Sequence, residues 1–129
     1  MRLLILGLSL SLATTAQAQP RVDGIAMAKR LVAAIKGQAE FRDADFVKPL
    51  GDADKAALRQ FAACRANYID YAGIATKDPN VIIRNYNDVS IMFACKGVPS
   101  NSPVGISLNF QDGKIATIET HDADLMGRR

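Results

Sequence analysis

The chain has 129 residues, with Lys+Arg 16 against Asp+Glu 13 and a formal net charge of +3. That length suits one domain. So slight an imbalance, with no run of five or six basic residues, offers no basic patch and argues against nucleic acid as a partner.

The first eighteen residues read as a secretory signal peptide. Arg2 supplies a positive start, Leu3 to Leu12 is an apolar run, and Ala16-Gln17-Ala18 gives the small-x-small cleavage pattern. The run falls short of the ~20 residues needed to span a bilayer, so no stable membrane span is expected after cleavage. The mature domain is then residues 19–129, which is 129 − 18 = 111 residues and enough for a hydrophobic core. A periplasmic or secreted location follows. In such a compartment the two cysteines, Cys64 and Cys95, are expected to join in one disulfide. The alternatives are two free thiols or a bridge to another chain.

Val22 to Gly37 is the first predicted helix. Asp23 stands as its N-cap, Ile25, Ala28, Leu31, Val32 and Ile35 form an apolar face, and Gly37 closes it. Gln38 to Gly51 reads as a loop or short helical turn over the core. Its Phe41 and Phe46 either plug that core or form a lid over a pocket. Asp52 caps a second helix, Ala53 to about Arg65, whose apolar face of Ala57, Leu58 and Phe61 includes Cys64.

The period then changes to two. Tyr68 to Ala75 is a strand, Thr76 to Asn80 is turn chemistry, and Val81 to Tyr86 is a second strand. Asn87-Asp88 is read as a two-residue hairpin turn rather than part of one long bent strand, since both residues tolerate positive φ. Val89 to Cys95 is a third strand, with Val89, Ile91, Phe93 and Cys95 on its more apolar face. Both cysteines thus face the core, and the expected bond staples the second helix to a strand.

Lys96 to Pro103 is a loop. Ile106, Leu108 and Phe110 then alternate with polar residues, and Asp112-Gly113 leads into Lys114 to His121, a β-hairpin. A two-residue Asp112-Gly113 turn would leave Ile118 on the polar side. A three-residue loop, Gln111 to Gly113 with Gly113 left-handed, buries Ile118 and is preferred, at the cost of leaving Ile115 outside. The fold class is α+β: two N-terminal helices packed on a curved antiparallel meander of four or five strands.

This order, ending on Phe110-Gln111-Asp112-Gly113-Lys114-Ile115-Ala116-Thr117-Ile118, resembles the cystatin-like and nuclear-transport-factor-2-like α+β folds. The resemblance covers mainly residues 89 to 121. It implies a ligand-binding module, an interaction domain, or an isomerase- or dehydratase-like enzyme with Asp, Tyr or His in a conical pocket. No residue of this chain matches such a position one by one.

The sequence holds no phosphate loop, no nucleophile elbow and no Cys-x-x-Cys, and no cofactor is implied. His121, the single histidine, stands with Asp122 and Asp124, too small a set to complete a metal shell; no metal or catalytic residue is assigned. Tyr68, Asp70, Tyr71, Arg84 and Tyr86 are the candidate ligand-binding residues. The reading is a small exported, non-catalytic binding or interaction module of the cell envelope, whose partner is a small ligand or an envelope protein. One alternative is a small pocket enzyme of isomerase or dehydratase type, with Asp70 as general base beside Tyr71 or Tyr86. The other is an inhibitor of a secreted hydrolase presenting Lys96 to Pro103.

Overall fold

A computed structural model describes residues 23–99 and 101–122. The expected signal peptide and Asp124 lie outside the described residues. Among the described residues, two helices precede a four-stranded antiparallel sheet of meander order β1-β2-β3-β4, an α+β arrangement. The helices stand behind the first 22 residues, and the fifth strand allowed by the sequence is absent among the described residues.

Helix α1 runs Gly24–Ile35. The Ala26 amide donates to Asp23 Oδ1 at 3.1 Å, which supplies the expected N-cap. At the other end Gly37 has φ 77°, and Gln38 N–H reaches back to the Ala33 carbonyl at 2.9 Å. Met27, Ala28, Leu31, Ala34 and Ile35 are buried, so the inward face is centred nearer Met27 and Ala34 than the sequence suggested, with Ile25 and Val32 at its margins. A short 3-10 turn, Asp43–Asp45, follows. Asp45 is a buried charge, and Arg30 of α1 grips it from Nε and Nη2, each at 3.0 Å. This two-pronged pair holds the loop against α1, and the Asp45 hydrogen bonds hold the guanidinium pKa above its ordinary value.

Helix α2 is Asp52–Arg59, about a turn and a half shorter than expected, with Gly51 rather than Asp52 as its N-cap. Beyond Arg59 the chain continues in tight turns: Phe61 N–H bonds Leu58 O, Ala62 N–H bonds Arg59 O, and Cys64 N–H bonds Phe61 O. Phe61 and Cys64 therefore still point inward, as helical spacing required, although the helix has ended.

The strands are β1, Arg65–Ala75; β2, Ile82–Ala94; β3, Gly105–Gln111; and β4, Lys114–His121. Val89, Ile91 and Phe93 of β2, Val104, Ile106, Leu108 and Phe110 along β3, and Ile115 of β4 meet α1, Phe46, Leu58 and Phe61 in one core. Phe61 and Phe93 stack with centroids 4.9 Å apart. Of the two loop aromatics, Phe46 is buried and plugs this core, while Phe41 is half-buried under the cationic ends of Lys55 and Arg59.

Asn87-Asp88 is not a hairpin turn. The ladder runs from Tyr71↔Val89 directly to Ala72↔Asn85, so Tyr86, Asn87 and Asp88 stand outside the β1 register within one long strand. Side chains stabilise this bulge: Asp88 accepts from Asn109 Nδ2 at 2.6 Å and from Asn85 Nδ2, and Asn87 N–H donates to Asn85 Oδ1 at 3.0 Å. Asx chemistry that serves a turn serves a bulge equally well.

The β3–β4 hairpin also departs from expectation. Gln111 pairs with Lys114 across a two-residue turn in which Asp112 and Gly113 both have positive φ, 51° and 79°. The register irregularity lies further on, where Asn109 pairs with Thr117 and Phe110 with Ile115, leaving Ala116 extra. That one residue reverses the alternation, so Ile115 and Ile118 both come to the core side. Phe46 supplies the cover Ile115 needed: the two form a parallel bridge, and Val47 N–H donates to Ile115 O at 2.9 Å.

The disulfide is present, with Cα atoms 4.5 Å apart, but it does not join helix to strand. Cys64 directly precedes β1 and Cys95 directly follows β2, flanking the pair Arg65↔Ala94. It clamps the base of a single hairpin. Replacing both cysteines by serine should lower unfolding free energy by about 3–4 kcal/mol, from the entropy of a loop this long. Urea unfolding of the double variant measures this, and an unchanged midpoint contradicts it. Arg30→Ala, which leaves the Asp45 carboxylate buried without its partner, should cost roughly 1–3 kcal/mol in the same assay.

Candidate interaction site on the β1–β2 arm

β1 and β2 run on well past the sheet. β3 reaches β2 only from Asp88 to Met92, whereas Ala72–Ala75 pairs with Ile82–Asn85 beyond that limit. The outer part of the hairpin is therefore a two-stranded ribbon, closed by Thr76 to Val81. Thr76 Oγ1 donates toward the carbonyls of Asp78 and Val81, each at 2.9 Å, and Asp78 Oδ1 accepts from Asn80 N–H at 3.0 Å. These short side-chain bonds hold the tip.

The ribbon is apolar and uncovered. Ile82 is 68% exposed, Ile83 56%, Ile74 51% and Val81 46%. Ile74 lies opposite Ile83 in the ladder, so this pair occupies one face. Ile82, the next residue, falls on the other, where its Cγ2 stands 2.6 Å from the point a Cβ on Gly73 would occupy. A side chain at position 73 would displace it. Neither face is packed on the core, so this stretch keeps in water what β-branched strand residues ordinarily bury.

Of the five sequence-predicted ligand-binding residues, Asp70, Tyr71 and Tyr86 lie at the root of this arm, Arg84 stands just beyond it opposite Gly73, and Tyr68 lies further down β1 opposite Met92. Arg84 Nη1 approaches Asp70 Oδ1 at 2.7 Å, and the Tyr71 amide donates to the same oxygen at 2.7 Å. The rings of Tyr71 and Tyr86 meet edge to face, centroids 4.9 Å apart and planes at 64°. Tyr71 packs against the core, while Tyr68 and Tyr86 are exposed. These contacts join Asp70, Arg84, Tyr71 and Tyr86 into one braced cluster. The hydrogen bond from Arg84, and then that from the Tyr71 amide, hold the Asp70 carboxyl below its ordinary pKa; Arg84 is raised in return, chiefly by the same bond. A carboxylate so engaged is a weaker base, which is the reverse of what proton abstraction near neutral pH requires.

Sequence reasoning placed these residues but missed the isoleucines beside them. Val81-Ile82-Ile83 reads as the start of a strand, and β3 ends before reaching it. Elsewhere, Ser107 Oγ lies 3.4 Å from His121 Nε2 on an exposed strand end, and Asp122 accepts from Gln60 Nε2. Among the described residues no group of three or more metal-ligating side chains gathers. The Lys96 to Pro103 loop leaves the disulfide through a turn, with Val98 N–H on Cys95 O at 3.1 Å and Gly97 at φ 82°. A shallow cleft of about 550 Å³ lies between α2, Phe46 to Gly51 and β4; its wall includes Lys48 and Asp54 at the mouth and Leu58 and Ile118 deeper in.

No protein-family model matches the chain, and neither a curated protein nor a solved structure matches it.

The ion pair makes a titration prediction. The folded Asp70 pKa is the lower one, so the pair's contribution is present above the unfolded value and is lost as pH falls through the folded value. Carboxyl NMR should find the Asp70 midpoint below the ordinary 3.8, and Arg84→Ala should move it upward. A midpoint at or above 3.8 in the unaltered chain contradicts the pairing.

Proposed function

We propose that the protein is an exported, non-catalytic interaction module of the cell envelope, and that the β1–β2 arm is its contact surface. The observation that carries this is the exposure of Ile74, Val81, Ile82 and Ile83 together on a ribbon that extends beyond the core. Exposed apolar side chains scattered singly are ordinary, but a cluster on one short ribbon, Ile74 and Ile83 paired on one face and Ile82 on the other, marks a surface to be covered. Tyr68, Tyr86 and Arg84 border the set, and Tyr and Arg are the residue types most often found to dominate protein contacts.

Export is supported by the Ala16-Gln17-Ala18 cleavage pattern and the Cys64–Cys95 bond, which an oxidising compartment sustains. No helix among the described residues is long and apolar enough to cross a membrane. Two helices ahead of a four-stranded meander support the proposed kinship with the cystatin-like and nuclear-transport-factor-2-like folds. The pocket-enzyme alternative draws no support from Asp70, whose carboxylate is committed to Arg84 and the Tyr71 amide.

A photo-reactive residue placed at position 83 in living cells tests the reading. Irradiation should yield an adduct with a protein, and the same residue at exposed position 77 of the tip or 47 on the far edge should yield less. Absence of any protein adduct at 83, or equal yield at all three positions, contradicts it.

A further inference from the structure

We propose that the partner of the arm is a second copy of this chain, met arm to arm about a two-fold axis. This rests on the arm being the contact surface and names what covers it.

Charge selects the occupant. From Asp70 to Asn85 the acids are Asp70 and Asp78 and the bases Lys77 and Arg84, so the arm sums to zero within a chain of net charge +3. Arg84 is already neutralised by Asp70 inside the arm. A surface built for a partner of opposite charge presents uncompensated charge to steer and select it. This surface carries no net charge, and it is a part of the chain that a like-charged copy can approach without net repulsion.

Shape points the same way. β1 is an edge strand of the sheet, and Ala72-Gly73-Ile74-Ala75 carries no proline or charge to blunt that edge. Two such edges set antiparallel continue the ladder from copy to copy. Ile74 and Ile83, paired across one ribbon, then lie beside the same pair of the other, as a self-complementary two-fold contact requires. The ribbon, which alone is too narrow to bury either face, becomes four strands wide.

Sedimentation velocity on the purified chain lacking residues 1–18 tests this across a concentration series. The expected species has twice the monomer mass. Ile83→Lys and Ile74→Lys, each checked for native circular dichroism and an intact disulfide, should raise the dissociation constant at least about tenfold. Val47→Lys, at an exposed apolar residue beside β4 on the opposite edge, should leave the dimer unchanged. A monomer at every concentration overturns the proposal. So does a dimer that survives both arm substitutions, or one that Val47→Lys weakens equally. A monomeric protein that still cross-links through position 83 to a different protein, or whose Ile83 engages lipid vesicles instead, overturns the second copy; the first of these outcomes leaves the arm as a contact surface and the second removes it.

Discussion

The Cys64–Cys95 bond is the constraint on which the rest of the architecture depends. It joins the residue before β1 to the residue after β2 and so closes the whole hairpin at its root. Other contacts converge there. Lys36, at the C-terminal end of α1, donates from Nζ to the carbonyls of Cys64 at 2.6 Å and Ala62 at 3.3 Å. Phe61 and Phe93 stack just inside the bond. One helix end, one turn and two strands are thereby fixed to each other. The outer ribbon buries little, and a two-stranded ribbon alone is marginal in water. Its order must come from this clamp and from the Asp70–Arg84 and Tyr71–Tyr86 contacts at its root.

Two irregularities set which side chains reach the core. On β2, the residues Tyr86 to Asp88 break the register, and beyond them the hairpin leaves the sheet. On β4, Ala116 reverses the alternation and brings Ile115 and Ile118 inward together. A strand without it would have to expose one of the two, since residues three apart fall on opposite faces. Both bulges have non-local partners, beside the local Asn85 bonds on β2: Asn109 of β3 holds Asp88, and Phe46 of the loop covers Ile115.

That non-local origin separates what was legible in the sequence from what was not. The alternation Val89, Ile91, Phe93 and again Ile106, Leu108, Phe110 states a local period, and the buried set follows it. Asp23 and Gly37 mark α1 by chemistry that acts within a turn. The end of α2 carried no such mark. Leu58, Phe61 and Cys64 fit a continuing helix and a run of tight turns alike, and the choice lies with Lys36 and the approach of Cys95. The disulfide was legible as a pair because the expected compartment and the inward faces agreed, but its role as a hairpin clamp needed the end of α2 at Arg59. For the site, polarity drew attention to Tyr68, Asp70, Tyr71, Arg84 and Tyr86. The isoleucines were hidden by their own hydrophobicity, because a sequence shows what a strand could bury and not how far its neighbour extends.

The ion pair at the root takes its meaning from the isoleucines. A surface pair of this kind contributes little to stability. Its larger effect is on the field around the arm. An unpaired Arg84 would leave a positive charge on the ribbon face that carries Ile82, and apolar side chains next to a hydrated cation are harder to strip of water. With Asp70 in contact, and its carboxyl pKa held below the ordinary range, that neutrality persists at all but acid pH. Lys77 and Asp78, adjacent at the tip, are opposite in sign and add no net charge. The ribbon is thus apolar and uncharged on average along its length, while its polar groups are drawn inward to one another. Of the residues that looked most like chemistry in the sequence, Asp70 and Arg84 are spent on each other, beside exposed isoleucines.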